Sequence, residues 1–343
     1  MDYNVLAFIG RFQPFHMGHK TVVDEALKRA KKVAIVIGSH DQPRNTRNPF
    51  TTAERIEMIS SVYPDEVAAG RIHFVPQIDH TYNMDRWIAG VQTGVTAVAN
   101  TPFTPDPVRI GLIGHSKDAS SFYLKSFPTW DSIEVPNADG IDATTIRNDY
   151  LANDGRLRAE RLLPAPVLAW MEMFWENPAV ATLRREFEFV KKYKEQWAAA
   201  PYAPTFHTTD AVVVQSGHVL LIERGAMPGK GLWALPGGFL NQDESLVDGA
   251  IRELFEETKI ALSADTLRRC ITAQRTFDDP NRSQRGRTLT TAFLLELRPD
   301  VKLTKVKGAD DAAKAKWVPL SEVKRSMMFE DHFDIISEMT GAV

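Results

Sequence analysis

The chain has 343 residues, 43% hydrophobic and 25% charged, the balance of a soluble globular protein long enough for two domains. A formal net charge of −3 gives no electrostatic footprint for nucleic acid or an anionic membrane surface. A single cysteine, Cys270, excludes an intrachain disulfide and a thiolate metal cluster; no apolar run approaches membrane-span length, and Met1-Asp2-Tyr3-Asn4 lacks the regions of a signal peptide, so a cytoplasmic protein is expected.

Val5 to Ile9 and Val33 to Ile37 are continuous apolar runs. Between them Val22, Val23, Ala26, Leu27 and Ala30 recur at helical spacing. That is a βαβ unit, and such units build parallel sheets. His73 to Ile78, Arg109 to Ile113 and Ser132 to Val135 are further strand candidates, with a helix over Met84 to Val98. The expected fold of this half is α/β, a doubly wound parallel sheet with ligands at the carboxyl ends of its strands. Leu157 to Trp197 reads as helical, and the Ala- and Pro-rich run at 198–204 places a domain boundary nearby. Beyond it, Asp210 to Val214 and Val219 to Ile222 flank Gln215-Ser216-Gly217-His218 as a hairpin. Thr290 to Leu297 is another strand, and Lys316 to Leu320 is a short strand entering a helix, so the second half is α+β.

Two motifs carry chemistry. In the first half, Gly10-Arg11-Phe12-Gln13-Pro14-Phe15-His16-Met17-Gly18-His19 follows strand one and opens the first helix. Two imidazoles near a helix N-terminus suit an anion, and Gly18 lets a backbone approach a phosphate. There is neither a dinucleotide-binding Gly-x-Gly-x-x-Gly nor a Walker loop here, which argues against a dehydrogenase and a P-loop kinase. In the second half, Glu253, Glu256 and Glu257 stand at i, i+3 and i+4, crowding three like charges onto one helix face. A divalent cation reverses the sign of that interaction, and carboxylate oxygens suit Mg²⁺ or Mn²⁺ acting with substrate phosphates. Glu330 and Asp331 are general-base candidates, although a solvated acidic cluster is the plainer reading.

Gly238, Glu244, Arg252, Glu253, Leu254, Glu256, Glu257 and Ile260 fall in register with the pattern of the Nudix hydrolases, which this segment resembles. Lys259 stands where that family has Gly, at a helix end where Gly is favoured because it tolerates positive φ. His16-Met17-Gly18-His19 resembles the signature of the nucleotidylyltransferase superfamily. Ile141-Asp142-Ala143-Thr144-Thr145-Ile146-Arg147 matches its second signature without the two serines. Gly10 to His16 and Asn48 to Ile56 resemble the archaeal-type nicotinamide mononucleotide (NMN) adenylyltransferases. Gly114 to Tyr123 and Asp279 to Thr288 are similar to bifunctional chains that join such a domain to a Nudix ADP-ribose pyrophosphatase.

The resemblance implies a nucleotidylyltransferase-like Rossmann domain over 1–183, a helical linker over 184–204 and a Nudix domain over 205–343. It implies two reactions of NAD metabolism: adenylyl transfer from ATP to NMN, and metal-dependent hydrolysis of ADP-ribose. In the first, His16, His19 and Arg147 would act on the phosphates, with Gly10, Arg11, Phe12, Gly18, Arg47, Lys117 and Thr144 binding substrate and Trp87 stacking on the pyridinium. Core packing is an equal alternative for Trp87, and Thr144 would cap a helix. In the second, Glu253, Glu256 and Glu257 would hold Mg²⁺ or Mn²⁺, Arg252 and Glu244 would orient them around Gly238, and Arg282, Arg285 and Arg287 would meet phosphates or form a solvated basic loop. Homo-oligomerisation stays open. The competing readings are a nucleotide-sensing regulator with a degenerate Nudix domain, and an adenylyltransferase for another mononucleotide. The regulator would need a basic helix pair, which the chain does not show, and would not need intact glutamates.

Overall fold

A computed structural model describes residues 2–99, 108–115, 126–136, 141–152, 160–300, 302–308 and 312–342. The chain divides into two compact units, Met1–Arg184 and Arg185–Val343.

Unit 1 begins with β1 (Tyr3–Gly10), α1 (Met17–Arg29), β2 (Ala30–Ile37), α2 (Thr52–Val62), α3 (Pro64–Ala68), β3 (Ile72–Pro76) and α4 (Met84–Ala99). It continues through β4 (Ile110–Gly114), β5 (Asp131–Glu134), α5 (Ala143–Ala152) and α6 (Ala165–Phe174), and α7 (Pro178–Glu195) crosses into unit 2. The strands lie in the order β3-β2-β1-β4-β5, all parallel. Val5, Leu6, Ala7 and Val33 to Ile37 are completely buried, which is why these runs are apolar without alternation. α1 lays Val22, Val23 and Ala26 inward and ends on Lys28 and Arg29, whose charges complement its dipole. The order reverses between β1 and β4, so the carboxyl end of β1 faces the crevice where such sheets hold ligands. Phe12, Ser39, Asp41 and His80 all take positive φ in the loops after β1, β2 and β3. Such strain gathers where a loop is held for function.

Unit 2 contains β6 (Thr205–Gln215), β7 (His218–Arg224), β8 (Trp233–Ala234), β9 (Gly237–Phe239), α8 (Leu246–Thr258), α9 (Ala264–Arg269), β10 (Ile271–Phe277), β11 (Arg287–Glu296), β12 (Ala312–Pro319) and α10 (His332–Thr340). The sheet runs β10-β11-β6-β7-β12, with β8 on β7 and β9 on β6; β6 and β11 are parallel and the other pairs antiparallel. Ser216 and Gly217 carry φ of 47° and 75°, closing the two-residue β6–β7 hairpin that Gln215 to His218 predicts. α8 presses Ala250, Ile251 and Leu254 onto Val213, Leu220 and Phe293, which leaves its carboxylates along the edge of the core.

Two expectations need correction, and one strand went unread. The helical stretch around 157–197 breaks at Trp175 to Asn177, between α6 and α7, and 153–159 lie outside the described residues. The strand ending at Pro319 enters a single 3₁₀ turn, Leu320–Glu322, because Val323 returns to extended backbone. β10 escapes the sequence pattern because Thr272 to Thr276 are all exposed, so no apolar alternation marks it.

Candidate active sites

The first site is built on the loop leaving β1. His16 and His19 stack with ring centroids 3.7 Å apart. The His16 N–H donates to His19 Nδ1 at 3.3 Å, so the proton of a neutral His19 sits on Nε2 and makes that atom a donor. His16 is 2% exposed and His19 half-buried, so the pair meets solvent through His19. A Cβ on Gly18 would come within 3.1 Å of the His16 ring, so this glycine gives His16 its seat. A Cβ on Gly10 would meet the Phe12 ring at 2.9 Å. That ring is 1% exposed and backs His19 edge-on, forming a wall behind the histidines.

Arg147 enters from α5. Its Nη1 donates to the Gln13 carbonyl at 2.8 Å and its Nη2 to Thr144 Oγ1 at 3.1 Å, while its buried Nε has no hydrogen-bond partner. Burial, then repulsion from Arg11 and Arg47, pushes its pKa down to about 10. The guanidinium groups of Arg11 and Arg47, from two separate loops, are thus close enough to disfavour the charge of Arg147. A polyphosphate relieves both the repulsion and the unpaired donor. Thr144 does not cap α5. Asp142 does, its Oδ1 accepting from the Thr144 N–H at 3.1 Å and its Oδ2 from the Thr145 N–H at 2.9 Å. A carboxylate complements the helix dipole as well as the N–H groups, which a hydroxyl cannot do. Trp87 is half-buried on α4, 6.0 Å from Phe127 and packed on the sheet core. Lys117 lies outside the described residues.

Arg55, which the sequence reading missed, fixes this loop set. It is 1% exposed and donates to the carbonyls of Arg11 at 2.8 Å, Gly38 at 2.6 Å and Ser39 at 3.2 Å, pinning the ends of β1 and β2 together. Burial, ahead of repulsion from Arg11, lowers its pKa to about 10. Asn48 to Ile56 carries this residue, but nothing in the spacing says that an arginine there turns inward.

The second site lies on α8. Arg252 donates through Nε and Nη2 to the two oxygens of Glu244 at 2.9 and 2.7 Å, and through Nη1 to Glu253 at 2.8 Å and Glu256 at 2.9 Å. Glu257 Oε2 accepts from the Gly237 N–H at 2.9 Å, and burial, then repulsion from Glu253 and Asp210, pushes its pKa up to about 8. Burial also raises that of Glu253, against the pull of Arg252. A Cβ on Gly238 would fall 2.4 Å from Glu253 Oε1, so Gly238 is needed for close approach rather than for its φ. Two inward carboxylates that resist ionisation fit a divalent cation, which would remove the penalty. Among the described residues no group of three or more His, Cys, Asp or Glu side chains is gathered to hold a metal alone. Glu253, Glu256 and Glu257 are therefore not gathered into a ligand set on their own.

Beside Gly237 and Gly238 opens a pocket lined by Asp210, Arg224, Phe239, Arg282, Arg285 and Phe329, among others. The Arg224 guanidinium lies 3.9 Å above the Phe329 ring and that of Arg285 5.0 Å above Phe239. Arg282 is 7% exposed and forms a two-point ion pair with Asp331, 5% exposed. Neither a solvated basic loop nor a solvated acidic cluster describes these two, because each supplies the other's countercharge. Glu330 is half-buried, lines the pocket and has its pKa raised, by burial first. Arg287 turns away, donating to the Asp278 carbonyl at 2.7 Å, and the pocket takes Arg285 and Arg224 instead. Arg224 ends an ordinary strand and carries no motif, so spacing could not reveal it. His332 Nδ1 accepts from the Leu235 N–H at 3.0 Å, and burial lowers the ring's pKa to about 4, leaving it neutral.

The chain matches the cytidylyltransferase-like family over residues 7–149 and the NUDIX domain over 205–339. It is 36% identical over 186 residues to the nicotinamide/nicotinic acid mononucleotide adenylyltransferase of Acinetobacter baylyi, covering 54% of this chain and 94% of that one. It is 30% identical over 129 residues to the ADP-ribose pyrophosphatase of Methanocaldococcus jannaschii, covering 38% of this chain and 69% of the other. A crystal structure of a bifunctional NMN adenylyltransferase/ADP-ribose pyrophosphatase from Francisella tularensis, complexed with AMP and a manganese ion, superposes with a TM-score of 0.90 at 34% identity over 99% of both chains. With both sites accounted for along one chain, the protein belongs to the family of bifunctional NMN adenylyltransferase/ADP-ribose pyrophosphatases.

Proposed function

We propose that unit 1 transfers the adenylyl group of ATP to NMN, giving NAD and pyrophosphate, and that unit 2 hydrolyses ADP-ribose to AMP and ribose 5-phosphate. The observation that carries this reading is the end-to-end likeness to the Francisella tularensis bifunctional enzyme, supported by two sites whose charge arrangements demand complementary ligands. In unit 1 the NMN phosphate would attack the α-phosphorus of ATP and pyrophosphate would leave, without a covalent intermediate. Arg147, Arg11 and Arg47 meet the negative charge, and His19 Nε2 donates to a phosphate oxygen; positioning and charge stabilisation carry the rate. Trp87 as a platform for the pyridinium belongs to the same proposal.

In unit 2, Glu253, Glu256 and Glu257 would hold the divalent cation, Mg²⁺ or Mn²⁺. Once bound, the ion activates water and screens the diphosphate. Arg252 keeps Glu253 and Glu256 in place, Arg224 and Arg285 receive the diphosphate, and Phe329 and Phe239 back those guanidinium groups against water. The description hydrolase and nucleotidyltransferase of the cytoplasm, acting on small molecules rather than nucleic acid or membrane, is the corresponding setting. No described helix is long and apolar enough to cross a membrane. The test is to assay the purified full chain with ATP against a panel of mononucleotides, and with Mg²⁺ against a panel of nucleoside diphosphate sugars and ADP-ribose. NAD formation and AMP release are expected; activity on neither substrate pair would refute the reading.

A further inference from the structure

β4 lies beside β1 in the sheet and ends at Gly114, so the next residue, His115, stands at the crevice where the strand order reverses. Its side chain is 8% exposed, and both ring nitrogens face backbone carbonyls. Nδ1 lies 2.7 Å from the Val135 oxygen and Nε2 lies 3.1 Å from the Gly18 oxygen. The two contacts differ in kind. Val135 follows β5, and its N–H already donates to the Gly114 carbonyl at 2.9 Å, so the first contact joins strand ends that are neighbours anyway. Gly18 is 97 residues away in sequence, in the first turn of α1 between His16 and His19. A Cβ on Gly18 would fall 3.1 Å from the His16 ring and 3.8 Å from His115 Nε2, so both rings lie against this one glycine. A carbonyl oxygen only accepts, so a ring nitrogen bonds to it when that nitrogen carries a proton. With two lone pairs, the Gly18 oxygen receives the ring without giving up its place in the helix.

We propose that His115 is a positioning residue for adenylyl transfer: its Nε2–H, donating to the Gly18 carbonyl, holds the first turn of α1 so that His16 and His19 keep their stacked geometry toward the phosphates. The imidazole pair does not fix itself. The bond from the His16 N–H to His19 Nδ1 is 3.3 Å, at the long end of the hydrogen-bond range. The residue between them is glycine, which has the most backbone freedom to lose. A buried ring carried by the neighbouring strand supplies the fixed point that this turn lacks. Both nitrogens of that ring are engaged with carbonyls, so His115 acts on the phosphates through the turn and not directly. A displacement of the pair by about 1 Å is enough to cost on the order of a hundredfold in rate, because the reaction depends on placement.

The inference rests on unit 1 transferring the adenylyl group to NMN. The test measures kcat and KM for ATP and NMN in full-length His115→Ala, His115→Asn and His115→Gln, with ADP-ribose hydrolysis in the same preparations as the reference. An Asn amide nitrogen ends at the δ position and reaches toward Val135, whereas a Gln amide nitrogen ends at the ε position and reaches toward Gly18. His115→Ala and His115→Asn are expected to lower kcat about 10- to 100-fold with KM within about threefold, since a shifted imidazole pair loses interactions made in the transition state. His115→Gln should keep kcat within about threefold of the parental value. ADP-ribose hydrolysis should be the same in all. A histidine that only ties strand ends together predicts the opposite order, because Asn keeps the shorter of the two bonds. An Asn variant at least as active as the Gln variant, a parental kcat in His115→Ala, or a rise in KM alone would overturn the positioning role and leave the adenylyltransferase reading intact. If the variants fail to fold, ring-nitrogen NMR of the parental chain at the assay pH decides: His115 Nε2 bearing its proton supports the role, and Nε2 without one overturns it. A parental chain that forms no NAD would refute the adenylyltransferase reading and this inference with it.

Discussion

Arg252 grips Glu244 at two points, Nε to Oε2 at 2.9 Å and Nη2 to Oε1 at 2.7 Å, and this pair is what aims the rest of the acidic helix. The same guanidinium reaches Glu253 and Glu256 through its remaining nitrogen. Glu244, held below the usual carboxylate range by its bond to Arg252, stays ionised and so anchors Arg252 in the position from which it holds Glu253 and Glu256. Replacing it, Glu244→Ala, is expected to lower ADP-ribose hydrolysis by about 10- to 100-fold, the usual effect of losing a residue that orients metal ligands. Adenylyl transfer should be unaffected. Steady-state rates for both reactions check this, with saturation by added Mg²⁺ recovering part of the loss.

The buried carboxyls set a pH dependence. Glu257 in the folded chain holds its proton up to about pH 8, far above its unfolded range. Between roughly pH 4.5 and 8 the folded state therefore binds more protons than the unfolded one, and this group's contribution to stability falls as pH rises through that window. A divalent cation competes with the proton. Mg²⁺ should thus raise the melting temperature of unit 2 more at pH 8 than at pH 6. The Glu257→Gln variant should lose that difference, as scanning calorimetry at the two pH values with and without Mg²⁺ would show.

Lys259 ends α8 in the left-handed region, φ 44° and ψ 39°, with its N–H on the Phe255 carbonyl. A side chain there costs about 1–2 kcal/mol relative to glycine, partly offset by the greater freedom of glycine when unfolded. Lys259→Gly is expected to stabilise unit 2 by about 1 kcal/mol, read as a higher midpoint in urea, and to leave both activities at the parental rate. The residue is exposed, so no packing is lost.

Arg55 holds three carbonyls at the ends of β1 and β2. Arg55→Met would bury those acceptors unpaired at a cost of about 3 kcal/mol or more. NAD formation should collapse with a lowered melting transition for unit 1, while ADP-ribose hydrolysis continues. An unshifted transition would mean that the clamp is dispensable.

What the sequence discloses follows from what its patterns encode. Continuous apolar runs announce β1 and β2 because both faces of those strands are buried, and the i, i+3, i+4 glutamates announce α8 because helical geometry alone brings them together. Arg147 with Arg11 and Arg47 was legible only as separate motif positions; the repulsion that Arg147 meets from the other two emerges where α5 and two loops come together. Asp142, not Thr144, caps α5, since two acceptors two positions apart cannot be ranked without the backbone. Arg224 and Arg55 were illegible for one reason: a guanidinium on a strand end or helix reads as solvated until the fold turns it inward. Arg287 is the converse, an arginine read as part of a basic loop that opens β11 and satisfies a backbone carbonyl.

The central claim is that the imidazole pair and the acidic helix serve separate reactions. The most direct measurement assays His16→Ala and Glu257→Gln in the full chain for both activities. His16→Ala should lose NAD formation by at least about a hundredfold and keep ADP-ribose hydrolysis, and Glu257→Gln should do the reverse. Either variant losing both activities, or neither, would contradict the account.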